Sequence, residues 1–202
     1  MTLQLNNAQG NNVQLDYTDQ VGGSDVDILF PQTNGTVALA GAAGGLAGNI
    51  SNASIFRLES SINSDVLVED WQVPNETGEI GGVGNQVTCA SGIFTFPNTG
   101  IWLVVFKARF LIGNQGTCQI LTRFTTDGGT TWDTRGTAAG GNSSSTVSLR
   151  ANSMSMQLFN ITDTAQRQVT FLCNNLDVGT VLEGNNSFNA TTVLFLRLGD
   201  TT

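Results

Sequence analysis

The stretch that decides the fold is SGIFTFPNTGIWLVVFKARF, residues 91–110. Two apolar segments flank the turn at residues 97–100, and this pattern is typical of two β-strands joined by a tight turn. The second segment is apolar at every position from 101 to 106, so we expect both of its faces to be buried. A strand buried on two sides needs a packing partner on each side.

The composition predicts an all-β fold. The chain has 202 residues with 24 Gly and only 3 Pro, and Ser, Thr and Asn are abundant, which favours short strands joined by tight turns. No window carries a sustained helical period. Strand-like segments recur from residue 49 onward, and their number and spacing predict an antiparallel two-sheet jelly-roll sandwich over residues 49–202. The candidates are residues 53–60, 66–73, 86–90, 92–96, 101–112, 117–126, 146–151, 155–161, 168–173 and 191–198.

Residues 1–48 differ from the rest of the chain in composition and in the length of their strand-like pieces. Four short strand-like pieces (residues 2–5, 12–17, 26–30 and 35–39) lead into a Gly/Ala-rich run at 40–48 that resembles a linker. This segment holds too little apolar side chain to form a core of its own, so we expect an extended β arm that orders on a partner. No Lys or Arg precedes residue 57, so the arm is either a solvated acidic segment or one that favours a basic protein surface. The expected attachment residues are Asp16, Asp19, Asp25, Asp27 and Phe30.

Charge and residue usage exclude several functions. The net charge is −8 and Lys107 is the only lysine, so nucleic acid is not an expected partner. With no His, imidazole catalysis and His-ligated metals are ruled out. The carboxylates of Asp127 and Asp133, or of Glu69 and Asp70, are expected to be solvated rather than to form a two-carboxylate site. We therefore expect no enzyme and no cofactor, and the absence of an apolar run of about 20 residues predicts no membrane anchor.

The three cysteines are Cys89, Cys118 and Cys173. Their number is odd, and the first residues have no charged start and apolar core of the signal-peptide type. We therefore interpret the thiols as small buried side chains rather than as a disulfide or metal set.

The opening stretch resembles the aromatic signature of the complement globular-head family, the tumour-necrosis-factor-like jelly rolls. The signature residues are Phe94, Phe96, Gly100, Trp102 and Phe106. SIFRLES resembles the first strand of that family and TTVLFLRLG its last, so the likeness extends from about residue 53 to residue 199. The resemblance implies a homotrimer, in which a strand can bury one face in its own sandwich and the other against a sister subunit.

Two further stretches carry resemblances. Residues 125–132, TTDGGTTW, resemble the Asp-box of sialidases, which is a structural hairpin there, and we expect a hairpin here. VDILFPQTNGTVALAG and the ending FLRLGDTT resemble segments of bacteriophage virion proteins. Together these features predict a virion protein of a tailed phage, assembled in the host cytoplasm. It would be either a capsid decoration (cement) protein bound to the major capsid protein or another virion protein, or a head or tail fibre that recognises a host surface glycan or protein.

Overall fold

The computed structural model describes residues 2–6, 12–16 and 50–201. The chain divides into two compact units, residues 1–47 and 48–202. In the first unit, strand β1 (Thr2–Asn6) pairs antiparallel with β2 (Asn12–Asp16). The other two strand-like pieces of the predicted arm, residues 26–30 and 35–39, lie outside the described residues.

The second unit is built from strands alone within residues 50–201. Nothing helical in the described part of the chain has the length and apolarity that crossing a bilayer requires. In chain order the strands are β3 (Ala53–Leu58), β4 (Trp71–Gln72), β5 (Gly82–Val83), β6 (Thr88–Ala90), β7 (Ile93–Thr95), β8 (Gly100–Ile112), β9 (Thr117–Thr125), β10 (Asp133–Gly141), β11 (Leu149–Ile161), β12 (Gln168–Asn174), β13 (Val181–Leu182) and β14 (Thr192–Gly199).

These strands form two antiparallel sheets. The first sheet has the order β10-β9-β12-β7-β6, and the second has the order β11-β8-β14-β3-β4, with β13 paired to β8 and β5 paired to β3. The stretch at residues 91–110 therefore starts in one sheet with β7 and enters the centre of the other with β8. The predicted jelly-roll sandwich is confirmed.

The core between the sheets is rich in aromatic rings. Phe106 of the second sheet stacks on Phe171 of the first, with ring centroids 4.6 Å apart, and Trp71 contacts Phe94, Phe106 and Phe171 edge-on. Burying one such side chain contributes about 1.5–3 kcal/mol, so this cluster is the main source of stability of the sandwich. Because side chains alternate along a strand, β8 places only its even-numbered residues in this core.

The strand prediction differs from the structure at several places. Residues 66–73 were expected to form one strand, but only Trp71–Gln72 pairs as a strand. The separate candidates at 146–151 and 155–161 are parts of one long strand, β11. The sequence did not indicate β10 or the two-residue strands β5 and β13.

Gly100 begins β8 with φ of 145°. A Cβ atom at this position would lie 2.5 Å from the carbonyl oxygen of Gly199 and 2.6 Å from Arg197 Nε. Only a residue without a side chain fits here, because both the backbone angle and the close approach exclude larger ones.

The segment that resembles an Asp-box connects β9 to β10 as a hairpin. The carboxylate of Asp127 accepts hydrogen bonds from the hydroxyls of Thr125 and Thr131, each at 2.6 Å, and from the Thr131 amide at 2.9 Å. These donors stabilise the charged form and lower the pKa of Asp127 to about 2.

Candidate subunit interface

The second sheet has an apolar surface on the side that faces away from the core. Along β8, Trp102, Val104 and Phe106 are buried in the core, whereas the alternate residues are only half-buried and point outward. The neighbouring strands extend this surface, since Met156 and Leu194 flank Val105 in register. We call this surface the open face; its members are Ile55, Leu103, Val105, Met156, Leu158, Leu194 and Leu196.

The open face is continuous across four strands. A first row runs across Met156, Val105, Leu194 and Ile55, and a second runs across Leu158, Leu103 and Leu196. On the edge strand β11, Met156 is 60% exposed and Leu158 is 64% exposed. Scattered apolar side chains are normal on a protein surface, but a contiguous apolar sheet face marks an interaction site.

Charged groups border the open face at one end. Glu183 accepts from Arg109 Nε at 2.8 Å and from Arg150 Nε at 3.1 Å. The guanidinium of Arg109 also lies over the ring of Phe188, 5.6 Å from its centroid. An apolar centre with a polar border is the usual anatomy of a protein–protein interface.

A buried arginine closes another part of the same sheet. Arg57 on β3 is completely buried and donates to the side chains of Gln72, Asn75, Glu76 and Glu79, at 3.1–3.3 Å. A guanidinium removed from water is tolerated only when its donors are satisfied by partners of this kind. The segment 72–79 is therefore fixed over this end of the sheet, and the apolar rows beside it remain open.

The signature residues that the sequence singled out lie in the core. Phe94, Phe96, Trp102 and Phe106 are all buried between the two sheets, and Gly100 is buried at the start of β8. None of the five is on the open face. Sequence analysis missed the open-face residues, although the uninterrupted apolar run of β8 signals that such a face exists.

Of the expected attachment residues, the structure describes the backbone of one. Asp16 ends β2 and lies opposite Thr2 in the hairpin. Asp19, Asp25, Asp27 and Phe30 lie outside the described residues. Their role in attachment stays a prediction.

No titratable cluster suited to metal binding occurs among the residues that the structure describes. The thiols of Cys118 and Cys173 are buried and that of Cys89 is half-buried, all three unpaired. Burial raises the pKa of Cys89 and of Cys118 to about 11 and that of Cys173 to about 12. They are therefore protonated at neutral pH, and none has the reactive character of a catalytic thiolate.

The fold is a tumour-necrosis-factor-like jelly roll. The structure of Eiger TNF from S. frugiperda matches it with a TM-score of 0.54 at 13% identity, covering 74% of this chain and 94% of that chain. Murine APRIL, crystallised at pH 5.0, matches with a TM-score of 0.51 at 15% identity, covering 72% of this chain and 99% of that chain. No family model and no curated protein sequence matches the chain. The likeness therefore concerns the fold.

Proposed function

We propose that the chain is a non-enzymatic structural protein that assembles as a homotrimer through its open face. The observation that carries this proposal is the two apolar rows on the outer side of the second sheet. A monomer would expose them to water, and their burial between copies is favourable at about 25 cal/mol per Å². Threefold order is the assembly that the resemblance to the complement globular-head family implies.

The trimer is proposed to decorate the capsid of a tailed phage. Two sequence features support this setting: the resemblance of residues 26–41 and 195–202 to segments of phage virion proteins, and the acidic character of the first 48 residues. An acidic arm without basic residues is suited to a basic patch on a shell protein. The trimer would then stabilise the shell by joining neighbouring capsid subunits.

Light scattering of the purified chain tests the assembly. A particle of three 21.3 kDa chains is expected at micromolar concentration, with an interface of about 2,000 Å² or more in total, as for obligate oligomers. A monomer at that concentration would contradict the proposal.

Binding to capsids stripped of the protein tests the virion role. The full chain should bind, and the quadruple variant with Asn at Asp16, Asp19, Asp25 and Asp27 should bind more weakly and with a smaller salt dependence. Deletion of residues 1–48 should leave a folded trimer that no longer binds capsids. Undiminished capsid binding by the deleted chain would place the contact in the jelly roll, and attachment of the deleted chain to host cells would favour the fibre alternative.

A further inference from the structure

A pocket of about 340 Å³ opens where the two sheets meet at one edge of the sandwich. The edge strands β10 and β11 are joined there by a hydrogen bond from the Ala139 amide to Ser153 Oγ at 3.0 Å. The stacked rings of Phe124 and Phe159, 4.6 Å apart, line this pocket. The volume falls in the range of small-molecule sites.

Two arginines line this pocket and no carboxylate does. Arg135 lies at an irregularity of β10, because the register with β9 shifts between Thr134 and Gly136. Such a bulge re-aims the side chain of the extra residue. The partner of Arg135 is the exposed carboxylate of Asp133, at 2.8 Å, and an exposed pair of this kind contributes little.

The second arginine, Arg167, follows β11 in the connection to β12. One of its nitrogens donates to the backbone carbonyl of Asn160. Within residues 50–201 it makes no ion pair, whereas most of the other arginines do. In a chain of net charge −8, a guanidinium that lines a pocket without a carboxylate partner is a docking group for an anion.

Two amide side chains complete the walls. Gln157 Oε1 accepts from Ser155 Oγ at 3.1 Å, which fixes the amide group. The same side chain passes over Gly136, where a Cβ would come within 2.0 Å of Gln157 Nε2. Asn160 contributes a buried Oδ1 atom that has no hydrogen-bond partner among the described residues.

We propose that this pocket binds a sugar acid of monosaccharide size, such as a uronic or sialic acid. The carboxylate is held by Arg135 and Arg167, and ring hydroxyls or an N-acetyl group meet the amide of Gln157. The apolar face of the sugar ring rests on the rings of Phe124 and Phe159, which lie outside the open face. Binding requires the carboxylate, the hydrogen-bonding groups and the apolar ring face of the ligand together, because the pocket offers positive charge, amide groups and an apolar wall.

Titration of the isotope-labelled full chain with sodium glucuronate and sodium N-acetylneuraminate, followed by NMR, tests the proposal. Saturable shifts at the pocket residues are expected for at least one of the two, with a dissociation constant on the order of 1 mM, the range open to so small a ligand. Glucose, which lacks the carboxylate, and acetate, which lacks the ring, should each bind at least about tenfold more weakly. Equal binding of glucose or acetate, or no saturation by either acid, would overturn the proposal.

Arginine variants locate the site. Arg167→Gln and Arg135→Gln should each weaken sugar-acid binding at least about tenfold, the loss expected when one charge-assisted contact is removed. Arg123→Gln is the matched control, since Arg123 also lacks a carboxylate partner among the described residues and donates only to the Trp132 carbonyl at 3.3 Å, outside the pocket. Binding by Arg167→Gln equal to that of the parent would refute the assignment, as would an equal loss in Arg123→Gln.

The groups proposed to hold the sugar acid lie outside the open face and outside residues 1–48. Of the residues that line the pocket only Leu158 belongs to the open face, and the arginine variants leave that face unchanged. The result of a sugar titration is therefore independent of the result of an oligomerisation assay on the same protein.

Discussion

Replacing Met156 with glutamate should dissociate the proposed trimer without unfolding the chain. Met156 lies in the first row of the open face, beside Val105, and is 60% exposed in the single chain. Full burial of a methionine is worth about 1.5–3 kcal/mol, so burying the remaining exposed part is worth about 1–2 kcal/mol per copy. Three copies lose about 3–5 kcal/mol per trimer, which corresponds to a factor of about 10²–10⁴ in the dissociation constant. Desolvation of the three carboxylates acts in the same direction.

Sedimentation velocity over a concentration series measures this effect. The parent should sediment as a trimer, and Met156→Glu should shift toward monomer at the same concentration, while circular dichroism shows an unchanged β-sheet spectrum. Val178→Glu is the control, because Val178 is 98% exposed in the loop between β12 and β13 and the variant carries the same change in charge. If Met156→Glu remained as trimeric as the parent, the open face would not be the subunit interface.

Three further changes test the fold itself. Gly100→Val should lower the free energy of unfolding by about 1–3 kcal/mol or abolish folding, because the side chain meets the Gly199 carbonyl at an unfavourable φ; a melting temperature equal to that of the parent would contradict this. Arg57→Met should cost about 1–3 kcal/mol, since it removes the donors that hold Gln72, Asn75 and Glu79, and an unfolding titration that coincides with the parent's would refute the role of this network. The pKa of Asp127 in the folded state is about 2, below its usual 3.8, so its contribution to stability is present above about pH 4 and is lost as the pH falls toward 2. Asp127→Asn should therefore be less stable than the parent at pH 7 and should lose less stability between pH 4 and pH 2. Parallel curves of stability against pH for the two proteins would contradict the assignment.

The central strands could be predicted from the sequence because their apolar content is unambiguous. Both β8 and β14 are long apolar runs, and β9 alternates between the two faces. In β9 a shift by one residue would turn the buried residues toward the opposite face, so register and burial reinforce each other there. The prediction of one strand at 66–73 was wrong for a related reason. Val68 is fully buried and Leu67 forms an isolated bridge to Leu172, so its apolar residues reflect core burial by irregular chain.

The edge strand β10 carries no such signal. Its sequence, DTRGTAAGG, consists of small and polar residues, and only Ala138 is buried. Its strand conformation comes from pairing with β9 and from the hairpin that Asp127 stabilises. An edge strand made of small residues contributes hydrogen bonds rather than apolar area, and sequence patterns report mainly the latter.

The open face and the pocket could not be predicted residue by residue from the sequence, for a different reason. The open face combines residues from four strands that are far apart in sequence, and only the pairing register brings Met156, Val105 and Leu194 into one row. In the pocket, Arg135 comes from the start of β10 and Arg167 from the loop after β11, so the two are far apart in sequence. Both line the pocket because of the bulge in β10 and the position of that loop. No local spacing encodes either arrangement.

The two faces of β8 have different physical roles, and this explains the apolar run at 101–106. Trp102 and Phe106 face the core, so changing them alters the stability of the sandwich and, through it, any assembly. The residues between them face outward, on the open face. Because the strand has a period of two residues, their apolar character cannot be a by-product of the core pattern. The proposed trimer accounts for it, because a second copy of the chain would cover the open face, which the ion pairs of Glu183 border.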